Sequence, residues 1–371
     1  MLVGVPREIK DSEYRVGLVP STVHELILKG HRVLIEKDAG LGAGLADDAY
    51  VAAGAEIAAG ADRVFAEAEM IVKVKEPLAP ERKKLRHGQV LFTYLHLAPD
   101  REQAEDLLAS GCIAVAYETV TSPTGGLPLL MPMSEVAGRM APQAGAHCLE
   151  KEVGGRGMLL GGVPGVPAAD VLVLGGGTVG ANAARIAAGM GADVTVVDRN
   201  PDVLRRIDNA LSGIRTVFST RDAVETLCRR ADLIIATVLI PGAKAPKLIT
   251  AETVRAMKPG AAIVDVSIDQ GGCAETSRPT THSHPTYIVD DVVHYCVANM
   301  PGAVARTSTF ALNNMTLPYV IALADKGYRV ALGQDPHLRA GLNVHEGRIT
   351  YKAVADALKL PFVPAEQALR M

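Results

Sequence analysis

The chain has 371 residues, of which 48% are hydrophobic and 21% charged, with a formal net charge of −3. That length suits two domains, with cores large enough to need neither disulfide nor metal. Only 4% of residues are aromatic, Trp is absent and no basic block occurs, which excludes a base-stacking or phosphate-tracking surface for nucleic acid.

Five cysteines (Cys112, Cys148, Cys228, Cys273, Cys296) form no CxxC pair, which fits free thiols in a reducing cytosol and gives no zinc signature. Arg7, Glu8 and Lys10 stand where a signal peptide would carry its apolar region. The most apolar stretch, 157–197, is broken by Pro164, Pro167, Asp170 and Arg185 and reads as globular core. A soluble, cytoplasmic protein is expected.

In chain order, a first series of β-rich runs comprises LVGVP (2–6), HRVLIEK (31–37), MIVKVK (70–75), QVLFTYL (89–95) and CIAVAYET (112–119). Helical stretches lie between them. One is STVHELILKG, with Ser21 placed to cap it and Gly30 to end it. In MIVKVK, Lys73 and Lys75 lie two residues apart and so share one side of an extended chain. An unpaired buried ammonium is costly, so both amines escape to water or one meets an anion.

The segment 132–152 follows and predicts a helix starting near Ser134, disturbed at Pro142. A second series comprises VLVLG (171–175), DVTVVD (193–198), LIIATV (233–238) and AAIVDVS (261–267). A second long helix is predicted over 308–327, and the tail 328–371 is too short for a domain of its own. Strands alternating with helices imply parallel sheets with right-handed crossovers. The expected fold class is α/β, with two doubly wound Rossmann-like domains flanking a cleft.

Gly175, Gly177 and Gly180 match GxGxxG between a strand and a helix, with Asp198 at the end of the next strand. In such a unit Gly175 permits the tight turn, Gly177 lets backbone approach a pyrophosphate, and Gly180 lets helix pack on strand. The helix N-terminus attracts phosphate. Asp198 accepts ribose hydroxyls and repels a 2′-phosphate, which predicts NAD, with Arg199 leaving NADP as the alternative.

Ligands of open parallel sheets bind beyond the carboxyl ends of the strands. The polar residues there are Arg7 and Arg15 after the first strand, Lys75, His96, and, past AAIVDVS, Asp269. Each has a plainer reading, as a loop arginine, a strand-capping histidine or a turn aspartate. Asp265 and Ser267, earlier in the same run, read as structural. If the two sheets face each other, two cations suit a small carboxylate, while His96 and Asp269 suit proton transfer.

GVPREIKDSEYRVGLVP, KVKEP, LHLA, PMSEVAGRM, GGVPGV, GGGTVGANAARIA, PGAKAPKL, VDVSIDQGG and VANMPGAV together resemble the bacterial L-alanine dehydrogenases, from residue 1 nearly to 371. KVKEP and DQGG are also similar to the NAD-binding subunit of proton-translocating transhydrogenase, the alternative reading. The resemblance implies reversible oxidative deamination of L-alanine to pyruvate and ammonium. Arg15 and Lys75 would hold the substrate, and His96 and Asp269 would be the catalytic groups.

For NAD, the resemblance adds Ser134, Thr178, Val179, Thr220, Val238, Leu239, Val266, Ser267, Ile268, Arg278, Val297, Ala298, Asn299 and Met300 to the glycines, Asp198 and Asp269. Thr220 stands where the family commonly has serine. Val203 replaces a lysine that some members carry near the adenosine. Some members hold magnesium near the glutamate matching Glu118, but the assisting histidine is Lys326 here, so no metal is expected. A discontinuous substrate domain (1–130 with 305–371), a nucleotide domain (131–304) and a homohexamer are likewise implied.

Overall fold

The structure is a computed structural model describing residues 1–238 and 245–370. It divides into two compact units, Met1–Met133 with Gly302–Met371, and Ser134–Pro301. In the first, β1 (Leu2–Val5), β2 (Arg32–Glu36), β3 (Glu56–Ala58), β4 (Met70–Val72), β5 (Val90–Thr93) and β6 (Ile113–Ala116) pair in parallel. In the second, β7 (Asp170–Leu174), β8 (Asp193–Asp198), β9 (Arg215–Phe218), β10 (Leu233–Ala236) and β11 (Ala262–Asp265) do the same. There β12 (Thr286–Val289) pairs antiparallel with β13 (Val292–Tyr295), which lies parallel to β11. The tail returns to the first sheet as β14 (Leu342–His345) and β15 (Arg348–Ile349), antiparallel beside β6.

The strand orders are 15-14-6-5-4-1-2-3 and 12-13-11-10-7-8-9. Each reverses direction once, between β1 and β4 and between β7 and β10. Such a switch opens a crevice beyond the carboxyl ends, because the helices leaving the two strands lie on opposite faces. Alternation along the strands fills both faces of the second sheet. Val171 and Val173 join one apolar cluster, Leu172 and Leu174 the other.

Several elements differ from their expected bounds. β4 ends at Val72, three residues short of Lys75. The Lys73 N–H still reaches the Phe92 carbonyl (3.2 Å), but the next N–H, of Val74, turns to Glu8. Strand parity therefore stops at Val72, and the two lysines meet different surroundings. The first helix is Pro20–Leu28, capped at Val19, so Ser21 is not its cap; Pro20 carries a pre-set φ suited to a first helical position.

The helix Met131–Cys148 runs through Pro142. A proline inside a helix costs ~3 kcal/mol. Burial of Ala141, Ala144 and Cys148 in the second unit's core opposes that cost. The last long helix, Ala305–Gln334, is broken at Gly327 (φ 70°, ψ 154°), where the prediction ended it. β3, β9, β12, β13, β14 and β15 were not anticipated: β3, β9 and β12 are edge strands with half-exposed faces, β15 has two residues, and β13 and β14 are buried inner strands of four residues each.

Candidate active site

The first unit places its charged residues at the switch between β1 and β4. Arg15 is buried. Its Nε and Nη2 donate to the Glu13 carboxylate (2.7 and 2.6 Å) and its Nη1 to the Met133 thioether (3.1 Å). Burial pulls its pKa down, but the hydrogen bonds and charge of Glu13 outweigh that and hold it above the ordinary value. Lys75 is half-buried, and its ammonium has no hydrogen bond or ion pair to any described residue. Burial first, then the Arg15 charge, lowers its pKa below that of an ordinary lysine. Two cations thus sit side by side, one of them without a bonded anion.

Lys73 resolves the question of the two amines. It is fully buried, and its Nζ donates to Glu8 (3.0 Å) and Glu81 (2.7 Å). His96 stands just past β5 with φ 50°, a region rare for residues other than glycine and one that clusters at functional sites. Its backbone N–H donates to Glu118 (2.6 Å), and its ring stacks on Tyr94 with 47% of the side chain exposed. Glu118 also accepts the Leu95 N–H, so the carboxylate anchors the strand end. Lys326 donates to Gln334. Arg7 is exposed, with its N–H on Glu36.

In the second unit, Gly175 turns with φ 94° after β7. A Cβ on Gly180 would overlap the Gly175 carbonyl, so only glycine lets the helix Thr178–Gly189 lie this close to the strand end. Gly177 caps that helix without a side-chain bond, and nothing lies within 4 Å of where its Cβ would be. Uncapped N–H groups facing open space form a cradle for an anion. Asp198 accepts the N–H of Gly176 (2.7 Å) on one oxygen and of Asn200 (2.8 Å) on the other. One lone pair remains on each oxygen for a ribose hydroxyl. Val203 packs against Gly176 and Ile207 as part of the core.

Thr178 is exposed and Val179 half-buried in the first turn of that helix, and Ser134 is half-buried in the first turn of Met131–Cys148. Thr220 caps the helix Arg221–Arg230 through the Ala223 N–H. Val238 ends the β10 side, its carbonyl accepting the Ser267 hydroxyl; Leu239 lies outside the described residues. Val266, Ser267, Ile268 and Asp269 form one 3-10 turn after β11, where Ser267 and Ile268 are buried and Asp269 is exposed without a bonded partner among the described residues. Asp265 accepts the N–H groups of Ser267, Cys273 and Ala274 and the Ser277 hydroxyl, a structural role. Val297 and Met300 are buried, Ala298 is half-buried, and Asn299 has φ 61°.

Arg278 lies exposed with its guanidinium 4.1 Å over the Tyr287 ring, and its N–H donates to the Tyr287 hydroxyl (2.8 Å). Glu8, Glu13, Tyr94 and Tyr287, which hold the expected site residues, went unread. Glu8 is 67 residues from Lys75, whereas Glu13 and Tyr94 stand two residues from Arg15 and His96, so for those two the adjacent charge or ring was the available signal.

The fold and glycine loop define a two-unit, doubly wound α/β protein of Rossmann type. The N-terminal domain of the family described as alanine dehydrogenase/PNT matches residues 4–137, and its C-terminal domain residues 141–352. An alanine dehydrogenase of Halomonas elongata is 59% identical over 366 residues, covering 98% of this chain and 99% of that protein. A solved L-alanine dehydrogenase is 50% identical with a TM-score of 0.94, covering 97% of this chain and 99% of that one. A solved transhydrogenase from Sinorhizobium meliloti is 25% identical with a TM-score of 0.81, covering 95% and 100%. The chain belongs to the alanine dehydrogenase/PNT family. Among the described residues no helix is long and apolar enough to cross a membrane.

Proposed function

We propose that this protein is an NAD-dependent L-alanine dehydrogenase, interconverting L-alanine with pyruvate and ammonium. The observation that carries the reading is Lys75: a half-buried ammonium beside Arg15, with no bonded carboxylate, at the strand switch of the first sheet. Such a group attracts a small anion, and two adjacent cations match a carboxylate. Arg15 Nη1 now donates to a thioether, a weak acceptor that a substrate carboxylate would outcompete.

The second unit fits a dinucleotide. The uncapped helix start would take the pyrophosphate, Asp198 the adenosine ribose, and Ser134, Thr220, Arg278 and the 266–269 and 297–300 turns would supply further contacts. A bound nicotinamide would supply the hydride acceptor for the substrate Cα. Arg15 and Lys75 hold the carboxylate and carbonyl, orienting Cα; positioning of this kind contributes several orders of magnitude in rate. His96 removes the ammonium proton so that the nitrogen lone pair can form C=N. It then moves protons on the carbinolamine and the water oxygen as ammonia leaves. Asp269 orients that water and stabilises the cationic imine.

Residues 1–130 with 305–371 would form the substrate domain and 131–304 the nucleotide domain, in a cytoplasmic homohexamer, as the family resemblance supports. The test is oxidation of NADH by the isolated chain with pyruvate and ammonium. Turnover that requires ammonium is expected. Hydride passed only to a second nucleotide, with no ammonium dependence, would favour the transhydrogenase reading and overturn this one.

A further inference from the structure

The turn that carries Lys75 is held to the sheet through its carbonyls, the Val74 carbonyl accepting the Tyr94 N–H (3.3 Å), but its N–H groups beyond Lys73 bond elsewhere. Beyond β4, the N–H groups of Val74 (2.7 Å) and Lys75 (3.3 Å) both donate to one oxygen of Glu8, and the N–H of Leu78 donates to Glu81 (2.9 Å). The Lys75 carbonyl accepts the Thr93 hydroxyl (2.9 Å). The remaining oxygens of the two carboxylates converge on the ammonium of Lys73, which is fully buried. Glu8 comes from the loop after β1, the same loop that continues to Arg15, and lies 65 residues before Lys73. A Cβ on Gly17 would meet the Val72 carbonyl at 2.5 Å, so that loop also packs directly on the end of β4.

We infer that Lys73, acting through Glu8 and Glu81, is a positioning residue that fixes the Lys75 backbone, and with it the Lys75 ammonium, for the substrate carboxylate. This rests on the reading of Lys75 as substrate anchor.

A buried charge cluster is weak evidence for stability, since apolar replacements of similar volume often fold as well or better. Its value here is geometric. Two buried carboxylates serve as acceptors for three backbone N–H groups that have no ladder partner, and they stay close together only because an ammonium lies between them. Burial raises the Glu8 pKa, the Lys73 charge lowers it, and Glu81 raises it again. Without Lys73 the second oxygen of Glu8 loses the charged partner that fixes it, Glu8 shifts, and the Val74 and Lys75 N–H groups follow it. A displacement of about 1 Å at a substrate-positioning group can cost about 10²-fold in rate.

The double variant Lys73→Met with Glu81→Gln tests this. It removes the ammonium and one carboxylate together, so the net charge of the cluster is unchanged, and the glutamine still accepts the Leu78 N–H. The expected result is a fall of about 10²-fold in kcat/KM for pyruvate, with the NADH dissociation constant within about twofold of the unsubstituted protein. A value of kcat/KM within threefold overturns the inference. Glu8→Gln is the milder variant: it keeps an acceptor for the Val74 N–H but loses the charge that ties it to Lys73. About a tenfold loss for pyruvate at unchanged NADH affinity is expected. If both variants lose NADH binding in parallel with activity, the cluster serves folding alone and the inference fails. Absence of pyruvate-dependent turnover in the unsubstituted protein would instead overturn the reading of the site itself.

Discussion

Replacing Asp198 with alanine removes one carboxylate that does two jobs. Its oxygens accept the N–H groups of Gly176 and Asn200, and each retains a lone pair for a ribose hydroxyl. Hydrogen bonds to charged groups contribute ~1.5 kcal/mol at the low end, so losing both ribose bonds costs ~3 kcal/mol. At 1.4 kcal/mol per decade, NADH should bind roughly 100-fold more weakly. The buried Gly176 N–H also loses its acceptor, which should lower stability by ~1–3 kcal/mol. Asp198→Asn keeps one carbonyl acceptor and should fall between, at about tenfold. Loss of the negative charge should also narrow the preference for NADH over NADPH. NADH fluorescence titration, paired with thermal unfolding, measures all of this. A folded alanine variant that binds NADH within threefold of the parent would show that the ribose is anchored elsewhere, and the reasoning would be wrong.

Lys75→Met should abolish turnover while NADH affinity stays within about twofold; residual turnover near the parent rate removes Lys75 from the site. The same variant should unfold at higher urea than the parent at pH 7. The folded-state pKa of Lys75 is depressed, so the unfolded chain binds its proton more tightly and the parent gains stability as pH rises through that folded pKa towards 10.5. The gap between parent and variant should therefore close at high pH; a constant gap would mean the lysine charge is not the cause. His96→Ala should lower kcat by about 10²-fold or more, and a steady-state loss under tenfold would leave His96 a packing role. Gly180→Ala should destabilise by ~1–3 kcal/mol through overpacking of helix on strand, read as a lower urea midpoint at unchanged slope.

Runs of apolar residues and the spacing of Gly175, Gly177 and Gly180 are local facts, and local facts survive in a one-dimensional string. That is why both series of strands, the glycine turn and its following helix could be read directly. The strand after Met70 was overextended for the same reason: Val74 looks like strand, and nothing beside it shows that its N–H goes to a residue near the N-terminus. The edge strands β3, β9 and β12 were missed because a half-exposed edge carries little apolar signal, and the buried strands β13 and β14 because each is a four-residue run broken by polar side chains, His294 in one and Asn343 and His345 in the other.

The sequence by itself determined the α/β class, the dinucleotide-type turn and which charged side chains stand at strand ends. Tertiary structure alone decided which of two lysines would be neutralised. Lys73 and Lys75 are chemically identical and two residues apart, yet carboxylates 65 residues upstream and eight residues downstream converge on the first and leave the second beside an arginine. Charge pairing depends on distance in space, and chain position does not report that distance until the β1 loop and the β4 turn have packed together.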